Sequence, residues 1–435
     1  MSTVYAIRAW GIRSGALLAL GSACSHQLPA QSAASVVGEW VFEMVGDAQP
    51  QRVNLTAAGD TIRGRVYGQA LAGTMNGRVF RFSVGSYQWR GTLSGDSLSG
   101  WIVTDTDSSQ WTAQRYRKPA TARRYTLTPT TYHRGVSNTA APALRLHAGD
   151  TVHTTTVDAG GWGTGAFGEK GNKRTDGGNP LTGPFYVEGA VPGDVLVVRL
   201  LRVRLNRPWA FSGTSLVDNA ITPSYATERK QTPTDNKWTL DTAAGVARLT
   251  SPTAGLSAFT VPLTPFLGVV AVAPGGSWTP SSRDAGSYGG NLEYSQLREG
   301  TTLYLPVSTM GAYLYLGDGH AAQGDGELTG DAMETSLDVT FTVDVKRWGF
   351  ASIPRAETAD HLMSIGTGGS LDEAMRQATT DLARWLEADY TLTANEVAIL
   401  MGFAVRFDIP DVVPPSFGVS ARLPKVALQS IKRRR

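Results

Sequence analysis

The stretch that most constrains the fold is an apolar run that leads into a cluster of glycines and ionisable residues. Residues 313–316 are apolar and aromatic, and the sequence Gly-Asp-Gly-His-Ala-Ala-Gln-Gly-Asp-Gly-Glu of residues 317–327 follows directly. This order predicts a buried strand that delivers a tight loop on which polar side chains converge. A glycine-rich turn with solvated carboxylates is the simpler interpretation, because Asp-Gly pairs are common in turns.

The spacing within this stretch favours a shared site. Asp318 and His320 are two residues apart, so both side chains point to one face of an extended backbone. Ligands of one metal ion must converge in this way. A metal site and a catalytic site are both compatible with the pattern.

Length and composition favour a multidomain, β-rich protein. A chain of 435 residues exceeds the usual single-domain size. Charged residues make up 18% and the chain has 49 glycines, a composition typical of strands joined by many turns. The formal net charge is only +3 and no basic stripe alternates with aromatic residues, which argues against a nucleic-acid partner.

The first 35 residues are predicted to form an export signal or lipoprotein leader. Two arginines precede the apolar run 15–23, which is too short to span a bilayer. Cleavage before Cys24 would give a lipid-anchored protein, whereas cleavage after Ala30 or a few residues later would give a soluble one. We therefore expect an exported protein, either periplasmic or lipid-anchored to the envelope, rather than one with an ordinary cytoplasmic N-terminus.

Cysteine usage restricts the chemistry of the mature chain. Cys24 is the single cysteine and lies within the predicted leader. An intrachain disulfide, a thiol nucleophile and a cysteine metal site are therefore excluded from the mature body. Any metal must be held by carboxylates and by histidines drawn from His133, His147, His153, His320 and His361.

Residues 36–118 are predicted to form a small antiparallel meander or barrel. Gly-Asp turns at 59–60 and 95–96 each feed a new strand, and apolar residues alternate with polar ones in 80–84. Large rings usually bury, so we expect a packed core rather than a ligand cup. The tryptophans available for this core are Trp40, Trp89, Trp101 and Trp111.

A polar linker at 119–124 separates this domain from a larger β-rich domain at 125–435. A strongly apolar strand is expected at 195–205, with three arginines directed outward. Two amphipathic helices are expected near the C-terminus, because apolar residues recur at helical spacing after two capping signatures. These signatures are Ser370 with Glu373 and Thr393 with Glu396. The predicted fold class is thus mainly β, with two C-terminal amphipathic helices.

Several separated motifs in the larger domain resemble the acetamidase/formamidase family, roughly from Tyr125 to Leu428. They are Gly149-Asp150-Thr151-Val152 with Asp158, the run 179–190 that begins Asn-Pro-Leu-Thr-Gly-Pro, Gly289-Gly290-Asn291-Leu292-Glu293, and the run 317–327. Glu293 stands where the family commonly has Asp, and residues 1–118 are not part of the family's core. The resemblance implies a largely β fold, hydrolysis of short aliphatic amides and a homo-oligomer.

Amide hydrolysis needs an activated water and a proton for the departing nitrogen, which a metal and a nearby carboxyl group can supply. A histidine with carboxylates suits zinc first, with calcium or manganese as alternatives. The resulting hypothesis assigns Asp158, Asp318 and His320 to the metal, His320, Asp325 and Glu327 to catalysis, and Asn291 and Gln323 to the small amide substrate. Glu327 is also a candidate metal ligand. This assignment requires His320 and Asp158 to face one pocket.

Two alternatives remain open at this point. A Gly-x-Ser-x-Gly elbow is absent, although a serine mechanism on another fold is possible. The second alternative is a non-catalytic exported ligand-binding protein on the same β scaffold. Joint retention of Asp158, Asn291, His320 and Glu327 favours the metal-dependent hydrolase, which would release a carboxylate and ammonia.

Overall fold

A computed structural model describes residues 32–44, 50–66, 68–103, 108–230, 234–347, 349 and 351–434. Cys24 lies outside these residues, and so does the predicted leader apart from residues 32–35. Export and a lipid anchor therefore stay predictions. No helix within the described ranges combines the length and apolarity needed to cross a membrane.

The N-terminal region is a closed antiparallel barrel, which confirms the predicted meander or barrel. Each strand pairs with the next and the first pairs with the eighth. The Gly-Asp turns at 59–60 and 95–96 connect strands as expected. The barrel strands are β1 (Gly38–Met44), β2 (Gln51–Ala58), β3 (Thr61–Val66), β4 (Gln69–Asn76), β5 (Val79–Val84), β6 (Tyr87–Ser94), β7 (Ser97–Val103) and β8 (Ser108–Arg115).

Aromatic side chains fill the barrel interior. Trp40, Trp89 and Trp111 are buried as predicted. The prediction for Trp101 is wrong, because this side chain is 48% exposed. Side chains alternate across a strand, and Ile102 takes the inward position of β7, which turns its neighbour Trp101 outward.

The larger region contains further strands, all within the described residues, and three α-helices. The strands are β9 (Arg124–Leu127), β10 (Leu144–Leu146), β11 (Thr151–Thr155), β12 (Leu181–Val187), β13 (Val195–Leu205), β14 (Trp209–Ser212), β15 (Asn236–Asp241), β16 (Val246–Leu249), β17 (Thr260–Pro262), β18 (Phe266–Val272), β19 (Ala285–Gly286), β20 (Gly289–Asn291), β21 (Thr302–Pro306), β22 (Leu314–His320), β23 (Glu334–Thr335), β24 (Leu337–Lys346), β25 (Arg355–Glu357), β26 (His361–Gly368), β27 (Arg406–Asp411) and β28 (Phe417–Pro424). The helices are α1 (Pro223–Glu228), α2 (Leu371–Asp389) and α3 (Ala394–Ala404).

These strands form two sheets with the main hydrophobic core between them. Counting described strands only, one sheet has nine strands in the order β27-β28-β26-β25-β21-β13-β24-β11-β9. The other has eleven, with the path β17-β16-β15-β14-β23-β22-β18-β20-β19, with β12 beside β22 and with β10 beside β12. Leu196 and Phe341 of the first sheet and Val270 and Leu316 of the second belong to one buried apolar cluster. The predicted apolar strand at 195–205 is β13.

Both C-terminal helices are present, and their predicted capping residues are confirmed. Ser370 accepts a hydrogen bond from the Glu373 amide, and Thr393 with Glu396 forms a complete capping box. Helix α2 packs its apolar stripe, which includes Leu382 and Leu386, against β26 and β28. The helices therefore cover one end of the nine-stranded sheet.

The strand predicted at 313–316 continues further than the sequence suggested. β22 runs through His320, so Asp318 and His320 belong to a sheet rather than to a tight loop. Gly319 serves close packing, because a Cβ at this position would lie 2.6 Å from the carbonyl oxygen of Thr335 on β23. The glycines that resemble a turn in the sequence thus allow neighbouring strands to approach.

Candidate active site

The C-terminal end of β22 brings together the residues of the candidate site. His320 lies opposite Phe266 of β18 on one side and Glu334 of β23 on the other. Gly268 leaves room for the site, because a Cβ there would lie 2.7 Å from His320 Cε1 and 2.9 Å from Glu293 Oε1. Substitution at Gly268 would therefore displace the site residues.

The imidazole of His320 is surrounded by carboxylates in the protein interior. His320 Nδ1 lies 3.4 Å from Glu293 Oε2, and Nε2 lies 3.6 Å from Asp318 Oδ1 and 3.1 Å from Glu334 Oε1. His320 is 0% exposed and these three carboxylates are at most 2% exposed. Unpaired polar atoms this deeply buried are costly. The atoms without a hydrogen-bond partner among the described residues are both ring nitrogens, Glu293 Oε2, Asp318 Oδ1 and Glu334 Oε2.

Two groups of residues around this imidazole have the geometry to hold an ion. Within the described part of the chain, ligand atoms of Glu293, Asp318 and His320 lie within 4.8 Å of one another, and so do those of His320, Glu327 and Glu334. His320 belongs to both groups. The site is therefore a single carboxylate-rich centre built on one histidine.

Left-handed backbone conformations concentrate at this centre. Asn179, Glu293, Asp318 and Glu327 have φ angles of 51°, 48°, 55° and 48°. Asn and Asp adopt this region with modest strain, whereas Glu does so rarely. Such strain persists only where surrounding structure imposes it, and it clusters at functional sites.

A pair of asparagines borders the carboxylates. Asn179 donates through Nδ2 to Asn291 Oδ1 at 3.0 Å and to Asp318 Oδ2 at 2.8 Å. This arrangement holds the oxygen end of the Asn291 amide, so its NH2 group is the end left for a ligand. The two side chains also fix the position of Asp318.

A small cavity of about 210 Å³ lies next to these groups. Its walls include the carboxylates just described together with Asn179, Asn291, Arg283, Asp331 and Val413. This volume is below the range of about 300–1,000 Å³ that is usual for drug-sized ligands. The cavity suits a small polar molecule.

Burial and mutual charge shift the pKa values of the group strongly. Burial alone would lower the pKa of His320, but attraction to Glu334, Glu293 and Asp318 outweighs it and raises that pKa well above its usual range. Burial, opposed by His320 but reinforced by Asp318, raises the pKa of Glu334 to about 8. The pKa values of Glu293 and Glu327 are also raised well above normal, chiefly by burial. The centre therefore favours either protonation or a bound cation.

Asp158 does not join this centre, and its prediction as a metal ligand beside His320 is wrong. Asp158 Oδ2 accepts a hydrogen bond from Arg207 Nη2 at 2.5 Å, and Oδ1 accepts one from the Trp162 amide at 2.9 Å. The side chains of Asp158 and Arg207 are fully buried, and Arg207 Nη2 also donates to the carbonyl oxygen of Glu334 at 3.1 Å. Asp158 therefore supports β23 through Arg207.

Two further predicted residues lie outside the small cavity. Asp325 is exposed and lines a larger neighbouring cavity instead, so its role as a general acid or base stays a prediction. Gln323 donates through Nε2 to the carbonyl oxygens of Glu293 at 2.8 Å and Pro410 at 3.1 Å, which braces the main chain at Glu293. Of the predicted residues, Asn291, Asp318, His320 and Glu327 come together.

Sequence reasoning missed Asn179, Glu293 and Glu334 as site residues. Asn179 and Glu293 lie inside the motifs that carry the family resemblance, so closer attention to polar residues beside glycines could have identified them. The sequence around Glu334 carries no motif that marks a site residue. Only the pairing of β23 with β22 places Glu334 opposite His320.

Comparison with known proteins agrees with this geometry. The profile of the Acetamidase/Formamidase family matches residues 276–424, which include Asn291, Asp318, His320, Glu327 and Glu334. A formamidase of Methylophilus methylotrophus is 28% identical over 258 residues, which cover 46% of this chain and 62% of the relative. A relative from Schizosaccharomyces pombe is matched over 53% of its length, so the chain spans little more than half of these two proteins.

Solved structures extend the likeness to about 70% of the chain. A predicted acetamidase/formamidase from Thermoanaerobacter tengcongensis has a TM-score of 0.62 and 26% identity, covering 71% of this chain and 98% of that one. An acetamidase from Bacillus halodurans has a TM-score of 0.60 and 28% identity, covering 70% and 99% respectively. The larger region is therefore similar to proteins of the acetamidase/formamidase family, which supports the resemblance found in the sequence.

Proposed function

We propose that this protein hydrolyses small primary aliphatic amides to a carboxylate and ammonia at the His320 centre, with a divalent cation bound there. The observation that carries the proposal is a fully buried imidazole with no hydrogen-bond partner among the described residues, surrounded by carboxylates and adjoining a cavity of about 210 Å³. The names of the relatives, formamidase and acetamidase, support the same reaction class.

The residues present fit a cation. Several buried acidic groups around one imidazole repel one another, and a positive ion would relieve this repulsion and satisfy their unpaired oxygens. We assign Glu293, Asp318 and His320 as its ligands. One nitrogen and several oxygens suit zinc, and the oxygen-rich set also admits calcium or manganese. A bound cation would supply Lewis acidity, which polarises a carbonyl and lowers the pKa of water.

The remaining groups of the centre position the substrate and move protons. The Asn291 NH2 group donates to the substrate carbonyl oxygen, because its own oxygen is held by Asn179. Glu327 carries the proton from water to the departing nitrogen, since burial raises its pKa well above the usual range and so favours a carboxyl group that can hold a proton. Glu334 holds His320 in orientation, because its Oε1 lies 3.1 Å from the ring nitrogen Nε2.

Ammonia release from formamide, acetamide and propionamide tests this proposal. The purified chain is assayed before chelation, after chelation, and after addition of zinc, manganese or calcium separately. We expect release that chelation abolishes and one metal restores. Release that is unaffected by chelation in protein shown to be metal-free contradicts the cation, and no release from any amide by the folded, metal-supplied chain contradicts the hydrolase.

A pair of variants separates the site from its surroundings. His320→Gln should lose both metal binding and ammonia release, because it removes the residue common to both ion-binding groups. Asp360→Asn is the matched control, since this carboxylate is exposed and lines neither the small cavity nor the larger one beside it.

A further inference from the structure

A second, larger cavity adjoins the small one. It has a volume of about 670 Å³ and shares Glu327 and Asp331 with the small cavity as wall residues. Glu327 is the residue to which we assign proton transfer, so the large cavity begins at the reaction centre. A group attached to a bound carboxamide could extend directly into it.

Much of the wall of the large cavity is apolar. Its large apolar wall residues include Trp238, Leu256, Phe259, Val261, Leu328 and Met333. Leu256, Phe259 and Leu328 are 45–46% exposed, so three large apolar side chains face an open cleft instead of a core. Clustered apolar exposure of this kind marks binding sites more often than isolated surface hydrophobics do.

The cleft wall is also rigidly built. The indole Nε1 of Trp238 donates to Ser212 Oγ at 2.9 Å, which fixes the ring. The Phe259 ring meets it edge-on with centroids 6.3 Å apart. Residues 236–262, which supply Trp238 and Phe259, lie before the 276–424 segment that the family profile matches, whereas Leu328 and Met333 lie within it.

We propose that the large cavity binds the apolar acyl group of the substrate, so that amides with acyl chains of about four to eight carbons or a phenyl-bearing acyl group are preferred over formamide and acetamide. This inference rests on the proposed function. Because that reaction releases ammonia, the amide nitrogen carries no substituent and the apolar group belongs to the acyl side. Each methylene that becomes buried should raise kcat/KM by about fourfold.

The test is a series of primary amides of rising acyl length: acetamide, butyramide, hexanamide and phenylacetamide. We expect kcat/KM to rise at least about tenfold from acetamide to hexanamide, since only part of the chain need be buried. Phe259→Ala should reduce the ratio of hexanamide to acetamide activity at least about fivefold and leave acetamide within twofold. Leu256→Ala, on the same wall, provides a second variant if Phe259→Ala does not fold.

Phe407→Ala is the matched control. This phenylalanine is 47% exposed, close to the 46% of Phe259, but it lies on edge strand β27 and does not line the cavity. The control should leave the whole series unchanged.

The possible failures can be told apart. If acetamide is hydrolysed but kcat/KM stays constant or falls as the acyl chain lengthens, the acyl site is overturned and the proposed function is left intact. This result would be expected if another copy of the chain fills the cleft. A rising series that both wall variants leave unchanged also overturns it, because the acyl group would then bind elsewhere. Loss of hydrolysis for every amide overturns both proposals.

Discussion

The barrel at β1–β8 and the end of β22 are both built from antiparallel strands, but they bury opposite kinds of side chain. The barrel interior is aromatic, and the rings of Phe42 and Trp111 stack with centroids 5.2 Å apart. The end of β22 buries an imidazole with Glu293, Asp318 and Glu334. Apolar contacts stabilise the first region, whereas the second carries unpaired charge that costs folding free energy.

The backbone shows the same contrast. Among the described barrel residues, left-handed φ angles occur at glycines alone, as at Gly59 and Gly95, where turns need them. At the site, Glu293 and Glu327 adopt this region despite their side chains. A protein departs from local rules mainly where function requires it, so the difference separates scaffold from site.

Glu327→Gln should produce the largest effect on activity. The amide side chain keeps the size of the carboxyl group but cannot carry a proton, so kcat for acetamide should fall by about 10²–10⁴-fold. The folded protein should be no less stable to thermal unfolding than wild type, because the variant removes a buried acidic group from a repulsive cluster. A kcat within threefold of wild type would remove Glu327 from the reaction.

Trp111→Ala tests the barrel side of the comparison. The ring is 1% exposed and central to the aromatic cluster, so its loss should destabilise the barrel by about 3–5 kcal/mol in denaturant unfolding. The kcat/KM of the folded fraction should not change. Trp111→Phe should cost less, because it keeps an aromatic ring and removes an indole N–H that has no hydrogen-bond partner among the described residues.

Equal destabilisation by the two Trp111 variants would show that ring volume does not govern barrel stability. A loss of kcat/KM in the folded fraction would show that the two regions are coupled.

Asp411→Asn probes the cost of buried charge near the site. Burial raises the pKa of Asp411 to about 7, against about 3.9 in an unfolded chain. The folded state therefore binds the proton of the Asp411 carboxyl group more tightly than the unfolded state does. The contribution of this proton to the free energy of unfolding is fully present below about pH 4 and is lost as pH rises through 7. The Asn oxygen can still accept the hydrogen bond that the Val413 amide donates at 2.6 Å.

In chelator-treated protein, the stability of Asp411→Asn relative to wild type should rise by on the order of 2 kcal/mol between pH 5 and pH 8. Denaturant unfolding at both pH values measures this difference. A constant difference would mean that Asp411 does not titrate in this range.

Asp360→Asn should have the smallest effect. The side chain is exposed, so unfolding free energy should change by less than about 0.5 kcal/mol and kcat by less than twofold. Matched kinetics and unfolding curves check both values. A large loss of activity would mean that this carboxylate reaches the reaction centre.

Much of the fold was predictable because it follows from local pattern. Apolar spacing and capping residues identified α2 and α3, Gly-Asp turns identified the barrel hairpins, and the apolar run at 195–205 identified β13. Trp101 was misplaced because an aromatic residue on a barrel strand can face either way, and only the register of β7 decides.

The site was predictable only in part, for a different reason. Asp318 and His320 share a strand, so their spacing was informative, whereas Glu293 and Glu334 reach His320 through pairing between distant segments. Asp158 was misassigned because its sequence context resembles a ligand's, and the buried Arg207 that neutralises it is 49 residues away.

The most direct test of the central claim is a crystal structure of the metal-loaded protein with anomalous scattering recorded at the metal absorption edge. We predict a single strong peak within coordination distance of His320, Asp318 and Glu293. No peak at this centre in protein that hydrolyses amides, or a peak at a different set of side chains, would contradict the account.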